Sequence, residues 1–352
     1  MGFSTRVDSR RPWQAKSSES RPLPTRSGCR VVAMAASLLL LASAAALAQD
    51  AGKGKRVLLI ESDAAHPYVA AEISSFQARA RQLGMIPTVQ AAGFDAALQS
   101  RQVDDGIARK FPIIAVQADS EQAIIPALAR AKQAKIPILM VNNPPKDHTE
   151  SYYISYIGQS QTEMGRIAAR SILHALAASG RKKAKVALIT GSLQEGAAPR
   201  RVAGIKEVLG ADPNVKIVAI EDAKWDTAKS ENIAGQLFAR FAPQGGLDAV
   251  YGMADNQAVA IIRAAQAAGI SVGAGPKQLL VFGGNCLKDG LDAIAAGRMV
   301  STVLQDPKAV GIATADAMES YFEGKTLPKK ILTKIALIDK SNLATYRNAC
   351  TY

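Results

Sequence analysis

The sequence predicts an α/β protein whose parallel sheets are arranged as two lobes. Three observations carry this. Short runs rich in Val, Ile and Leu recur without polar alternation, which is the pattern of strands covered on both faces. Helical stretches lie between these runs, and such alternation gives doubly wound parallel sheets joined by right-handed crossovers. The roughly 300 residues after an export leader exceed what a single hydrophobic core comfortably holds, so two lobes are the expectation.

The leader comes first. Val31–Leu47 is a largely apolar run of 17 residues that ends in Ala46-Leu47-Ala48 before Gln49. Its length is short for a membrane span of about 20 residues, and the small-x-small ending suits a signal peptidase. Residues 1–48 are therefore expected to be a cleaved signal peptide. The arginines ahead of the run include Arg10-Arg11, but the following Pro12-Trp13-Gln14 fits a twin-arginine signal poorly. Cys29 precedes the run, so a lipid-modified N-terminal cysteine is not expected.

Strands are expected at Arg56–Ile60, Ile86–Ala91, Pro112–Val116, Pro137–Val141, Val186–Thr190, Val215–Ile220, Ala249–Tyr251 and Leu279–Phe282. In the first intervening segment Val69, Ile73, Phe76, Ala80 and Leu83 step by four, three, four and three, which draws one apolar stripe along a helix. Further helices are expected near Phe94–Arg109, Glu121–Gln133, Thr162–Ala178, Pro199–Leu209, Thr227–Arg240, Asn256–Ala268 and Pro307–Phe322. The Tyr152–Gly158 stretch is expected to cross between the lobes. No long Pro/Gly tract interrupts the chain after the leader, so the lobes are expected to be joined by short strands.

The chain carries a formal charge of +13, and removal of residues 1–48, with seven Lys/Arg and two Asp/Glu, lowers it to +8. The basic residues sit mostly at helix ends and loops, as in Lys182-Lys183 and Lys329-Lys330, which favours a solvated face over nucleic-acid binding. Cys286 and Cys350 remain after cleavage. In an oxidising compartment they either pair or stay as two separate thiols, and the sequence leaves both open.

In open α/β sheets ligands bind beyond the carboxyl ends of the strands. The residues there are polar or aromatic: Asp63, His66, Tyr68, Asn142, Asn143, Gln194, Glu195, Trp225, Asp255, Asn285 and Gln305. Hydrogen-bonding groups beside stacking surfaces suit a hydroxylated small molecule. Each has a plainer reading. His66 before Pro67 suits a helix entry, Asn142-Asn143 before Pro144-Pro145 suits a turn, and Asp255 suits a helix cap. Tyr68 and Trp225 are also compatible with core or surface aromatics. Arg200 and Arg201 suit a helix N-terminus or a contact between lobes.

Enzyme signatures are weak. His66, His148 and His174 are far apart and lack metal-binding spacing such as His-Glu-x-x-His. The loop from Thr190-Gly191-Ser192 to Gly196 lacks the Lys-Ser/Thr of a phosphate-binding loop, and no Gly-x-Ser-x-Gly elbow is present. No catalytic residue, metal or cofactor is expected.

A set of local marks runs through the chain in order: His66-Pro67-Tyr68, Ile136-Pro137-Ile138 leading to Asn142-Asn143, Tyr156-Ile157-Gly158, Arg201-x-x-Gly204-Ile205, Ala254-Asp255-Asn256, Phe282-Gly283-Gly284-Asn285 and Val303-Leu304-Gln305-Asp306-Pro307. In order and spacing these resemble the periplasmic sugar-binding proteins of ABC transporters, the ribose-binding-like group of type I solute-binding proteins, over roughly Lys55 to Leu343. The resemblance implies two Rossmann-like lobes joined by a three-strand hinge that closes on ligand. It implies lobes at 53–157 plus 306–334 and at 158–305 plus 335–352. It also implies ligand-binding roles for His66, Tyr68, Asn142, Asn143, Trp225, Asp255, Asn285 and Gln305.

Three departures from that family's pattern stand out. Asn142-Asn143 replace an Asp-Arg pair, Asn285 replaces an Asp, and Pro199 stands where a binding arginine is expected, with Arg200 one position away. Carboxylates and guanidinium groups make the strong charge-assisted bonds to sugar hydroxyls. Their loss points to a small neutral ligand, sugar-like or a polyol. The expected protein is periplasmic, a monomer, non-catalytic and without nucleic-acid partners, delivering its ligand to the permease subunits of an ABC transporter. The alternative is a periplasmic sensor for a histidine kinase or chemoreceptor. A lac-repressor-type regulator would need a helix-turn-helix where the leader lies, and an exported enzyme would need a turnover site.

Overall fold

A computed structural model describes residues 51–143, 146–350 and 352. The leader expected at Val31–Leu47 lies outside the described residues. Two six-stranded sheets organise the chain. The first contains β1 (Arg56–Glu61), β2 (Ile86–Ala91), β3 (Ile114–Val116), β4 (Ile138–Val141), β5 (Ser155–Gly158) and β11 (Lys330–Leu332), in the order β11-β5-β4-β3-β1-β2. The second contains β6 (Ala184–Thr190), β7 (Val215–Asp222), β8 (Ala249–Gly252), β9 (Leu280–Phe282), β10 (Ser301–Val303) and β12 (Leu337–Asp339), in the order β12-β10-β9-β8-β6-β7. Every pairing is parallel except β10 with β12.

The unbroken apolar runs have the cause that the sequence suggested. Val57, Leu59, Ile113 and Leu139 pack on one face of the first sheet with Phe76 and Met318, while Leu58, Ile60, Ile114 and Met140 pack on the other with Leu128 and Phe111. The second sheet is sandwiched in the same way, by Ile205 and Met164 on one face and by Phe238 and Ile261 on the other. Both faces are dry, so there is no polar alternation to see.

The chain passes from one sheet to the other after β5, after β10 and between β11 and β12. Here the structure corrects one expectation. Ser155–Gly158 is an inner strand of the first sheet, paired with β4 and β11, and the crossing begins only at Gln159. The strands β10 (Ser-Thr-Val), β11 (Lys-Ile-Leu) and β12 (Leu-Ile-Asp) are not among the expected strands because each carries polar residues and lacks the unbroken apolar run that marks the equally short β3 and β9, and the eight-residue helix Lys288–Ala295 is too short to show a clear period.

Two helices of the second lobe, Gln161–Ala178 and Ala197–Leu209, pack unusually closely. A Cβ on Gly165 would lie 2.1 Å from the Arg201 carbonyl oxygen, and one on Gly204 2.1 Å from that of Thr162. Only glycine permits this approach, and it seats Arg201 at the edge of the interlobe space. Cys286 and Cys350 form a disulfide across 64 residues, with Cα atoms 5.3 Å apart. The question that the sequence left open is answered by this pairing.

Candidate functional site

The carboxyl ends of the two sets of parallel strands face one another across a narrow cavity of about 30 Å³. From the first lobe it is lined by Ser62, His66, Tyr68, Val69, Phe94, Gln117, Asn142 and Asn143, and from the second lobe and the crossing segments by Glu195, Ala197, Arg201, Trp225, Asn285 and Gln305. Seven of the eight residues expected at the site therefore meet in one place.

His66 does two things at once. Its Nδ1 accepts the Tyr68 backbone N–H at 3.2 Å and caps the helix Pro67–Gln82, while its buried Nε2 has no protein partner among the described residues. Burial lowers its pKa, which keeps the ring neutral; because Nδ1 is the acceptor, the ring proton sits on Nε2, which is left to donate. Asn142 follows β4 in the left-handed region, with φ 53°, a conformation that asparagine tolerates better than most residues. Its backbone N–H donates to Ile157 O at 2.8 Å, and its Oδ1 accepts from Gln305 Nε2 at 2.8 Å. Asn143 donates from Nδ2 to Ala118 O at 3.3 Å.

Trp225 also adopts a left-handed backbone, with φ 64°, and the indole lies over Gly191. Its Nε1–H donates to Glu195 Oε2 at 2.9 Å. The other carboxyl oxygen of Glu195 is buried without a hydrogen-bond partner among the described residues, and burial raises the pKa of this group to about 8. At neutral pH Glu195 is thus largely a carboxylic acid at the cavity wall, able both to donate and to accept.

Arg201 is the hub. It is fully buried, and its guanidinium donates to Gln161 Oε1 at 2.6 Å, Gln305 Oε1 at 2.5 Å, Asn285 Oδ1 at 3.3 Å and Met253 O at 3.2 Å. It also stands 5.4 Å from the centre of the Trp225 ring. Gln305 carries this network onward to Asn142 and to Gln159 Oε1, so a single set of hydrogen bonds spans both lobes. Position 199, where the resemblance led one to expect a binding arginine, is a proline, and the guanidinium that lines the cavity belongs to Arg201. Arg200, one residue earlier, points to the lobe edge and bonds Glu121 at 2.9 Å and Asp147 at 2.8 Å.

Asp255 stands apart from the cavity. Its Oδ1 accepts the Thr302 hydroxyl at 2.7 Å and its Oδ2 the Leu287 N–H at 2.7 Å, inside the second lobe. It does not cap the following helix either: Asp255 is that helix's first residue, and Gln257 Oε1 accepts the N–H of the preceding Ala254. Ser62 and Gln117 went unassigned although each directly follows a strand, which was the available signal; Gln117 Nε2 donates to Ser62 Oγ at 3.0 Å. Phe94 reaches the cavity from a left-handed turn after β2 and left no mark in the sequence.

The walls thus offer amides, the Ser62 hydroxyl, one neutral imidazole, one carboxyl group, the Arg201 guanidinium and three aromatic rings, and among the described residues no side-chain pair there resembles an activated nucleophile with its base. Among the described residues no group of three or more His, Cys, Asp or Glu is placed to hold a metal ion. A family model described as a periplasmic binding protein domain matches residues 41–326. The chain belongs to that family. Periplasmic binding proteins bind rather than transform their ligands, and the two-lobed α/β architecture is the type I form of the fold. Among curated relatives, a Rhizobium meliloti protein named for rhizopine binding is 29% identical over 257 residues, covering 72% of this chain and 79% of that one. The D-apiose import binding protein of Paraburkholderia graminis is 27% identical over 315 residues, covering 89% and 95%. Among solved structures, a galactofuranose-binding protein superposes with a TM-score of 0.78 at 19% identity over 85% of this chain and 100% of that one. A Caulobacter myo-inositol-binding protein gives 0.77 at 20% identity over 84% and 96%, and both likenesses are of fold.

Proposed function

We propose that this periplasmic binding protein captures a small neutral ligand, sugar-like or a polyol, between its lobes and delivers it to the permease of an ABC transporter. The observation that carries the reading is the convergence of Asn142, Asn143, His66 and Tyr68 from one lobe with Trp225, Asn285 and Glu195 from the other around one cavity. Amides and a neutral carboxyl both donate and accept, as hydroxyl groups do, while Trp225, Tyr68 and Phe94 suit the apolar face of a ring. Relatives named for import of ribose and D-apiose and for xylitol binding support the same ligand class.

Capture follows from differential contact. A ligand held by residues of both lobes is bound better by the closed form than by the open one, and that difference is what shifts the population. Export, with residues 1–48 removed, and lobes at 53–157 plus 306–334 and 158–305 plus 335–352 belong to the same proposal, as do binding roles for His66, Tyr68, Asn142, Asn143, Trp225, Asn285 and Gln305; Asp255, outside the cavity, is left out of it.

A thermal-shift screen of pentoses, hexoses, polyols and cyclitols tests it. A ligand at a hundredfold excess over its Kd stabilises the native state by about 2.7 kcal/mol, or about 4 °C in a chain of roughly 300 folded residues. No shift with any of them, alongside a shift with amino acids or organic acids, overturns the ligand class.

A further inference from the structure

We propose that the Cys286–Cys350 disulfide and Tyr352 form a strap that sets the geometry of the cleft, with Tyr352 as a positioning residue. The inference rests on the cleft being the binding site, but not on which ligand it takes. Asn285 and Cys286 are consecutive left-handed residues, with φ of 84° and 67°. Each such conformation costs on the order of 1 kcal/mol or more outside glycine, so the turn needs outside support. Part of that support is local: Asn285 N–H donates to Val303 O at 3.0 Å and Leu287 N–H to Asp255 at 2.7 Å. The rest comes from sequence 64 residues away, through the buried Cys350.

What the disulfide brings with it is Tyr352. Its hydroxyl lies 2.7 Å from the carbonyl oxygen of Asn285 and 2.9 Å from that of Gln305. Those are two of the three residues whose side-chain oxygens accept from Arg201, the third being Gln161. One phenol thus fixes the backbone beneath two of the three amides that hold the buried guanidinium. The Tyr352 ring meets Tyr68 of the first lobe edge to face, with centroids 6.4 Å apart, so the strap also touches the opposite wall of the cleft.

Hydrogen–deuterium exchange of the full chain without ligand tests this, comparing wild type with Tyr352→Phe and with the double variant Cys286→Ser/Cys350→Ser. Tyr352→Phe keeps the ring and its edge contact and removes only the hydroxyl. Loss of one such bond is expected to speed exchange of the Asn285 and Leu287 amides by about 3- to 10-fold. The Glu121 amide, which donates to Gln194 O across the lobes at 3.0 Å, speeds with them, and the buried amides of Val57–Ile60 do not. The serine pair shows the same pattern at least as strongly. Unchanged Asn285 and Glu121 exchange in Tyr352→Phe, or equal acceleration at Val57–Ile60, overturns the proposal, the latter because it marks a contribution to global stability alone. No sugar enters the measurement, so its failure is distinct from failure of the ligand reading.

Discussion

Gly191 lies directly beneath the indole of Trp225: a Cβ built on that glycine would fall 1.9 Å from Cε2 and 2.0 Å from Cζ2 of the ring. The loop after β6 is thus shaped by the tryptophan of the loop after β7. Gly191→Ala leaves the backbone conformation accessible but drives the indole out of its place, breaking its bond to Glu195. The expected result is a loss of ligand-induced thermal shift with less than about 2 kcal/mol of change in free-protein stability, since the clash relieves itself into the cleft. Tryptophan fluorescence checks the displacement, and an alanine variant with an unmoved emission maximum contradicts it.

Trp225→Ala goes further and removes the ring itself. With its backbone at φ 64°, the position is already strained for a bulky residue, so the fold has little to lose there. The thermal shift by any sugar or polyol is expected to vanish while the melting temperature of the free protein stays close to that of wild type. A variant that responds as wild type does removes Trp225 from the site.

Much of this site was legible because strand ends are legible. Asn142, Asn143, Trp225, Asn285 and Gln305 each follow an apolar run, and all line the cavity. What the sequence does not contain is the direction of a side chain. Arg200 and Arg201 are neighbours on one helix, and the 100° between successive helical residues sends one to the lobe edge and the other into the cleft. Gly204, three residues on, supplies the phase once one knows that this helix packs closely on its neighbour. Asp255 fails for the same reason: its backbone is beside the cleft, but its carboxyl turns inward to Thr302 and Leu287. The strands β10, β11 and β12 escape notice because Ser301, Thr302, Lys330 and Asp339 break the apolar run that betrays the equally short β3 and β9.

Arg201→Leu should test the hub directly. The variant leaves the amides of Gln161, Asn285 and Gln305 and the Met253 carbonyl without their donor in a buried place. A cost of about 3 kcal/mol is expected, on the scale of buried polar groups left unpaired, read as a lower urea midpoint with an unchanged m-value. Ligand response is lost as well. A variant as stable as wild type means that the amides re-pair among themselves.

Stability should fall as pH rises through the neutral range. Burial raises the pKa of Glu72 from 4.5 to about 8 and that of Asp119 from 3.8 to about 7. Glu61 is raised by burial and by the neighbouring Glu72 and Asp119, and the carboxyl oxygens of all three lack hydrogen-bond partners among the described residues. Between the unfolded and folded values the native state holds protons that the unfolded chain has released, so each step up in pH favours unfolding. The melting temperature is expected to drop between about pH 5 and pH 9. Glu72→Gln removes one contributor, flattens the slope and raises the melting temperature at the alkaline end. A profile that rises over this interval contradicts the assignment.

Arg200 is expected to act on closure rather than on folding. Its guanidinium joins the second lobe to Glu121 and Asp147 of the first, in a half-exposed position where an ion pair is worth about 0–1 kcal/mol. Because those contacts exist only when the lobes are together, their free energy enters the open–closed equilibrium in full. Arg200→Ala should weaken ligand binding by about threefold and raise the radius of gyration of the free protein in small-angle scattering. Salt should narrow the difference between variant and wild type, since partly exposed pairs are screened. Equal affinities at low ionic strength would mean that the lobes close without this latch.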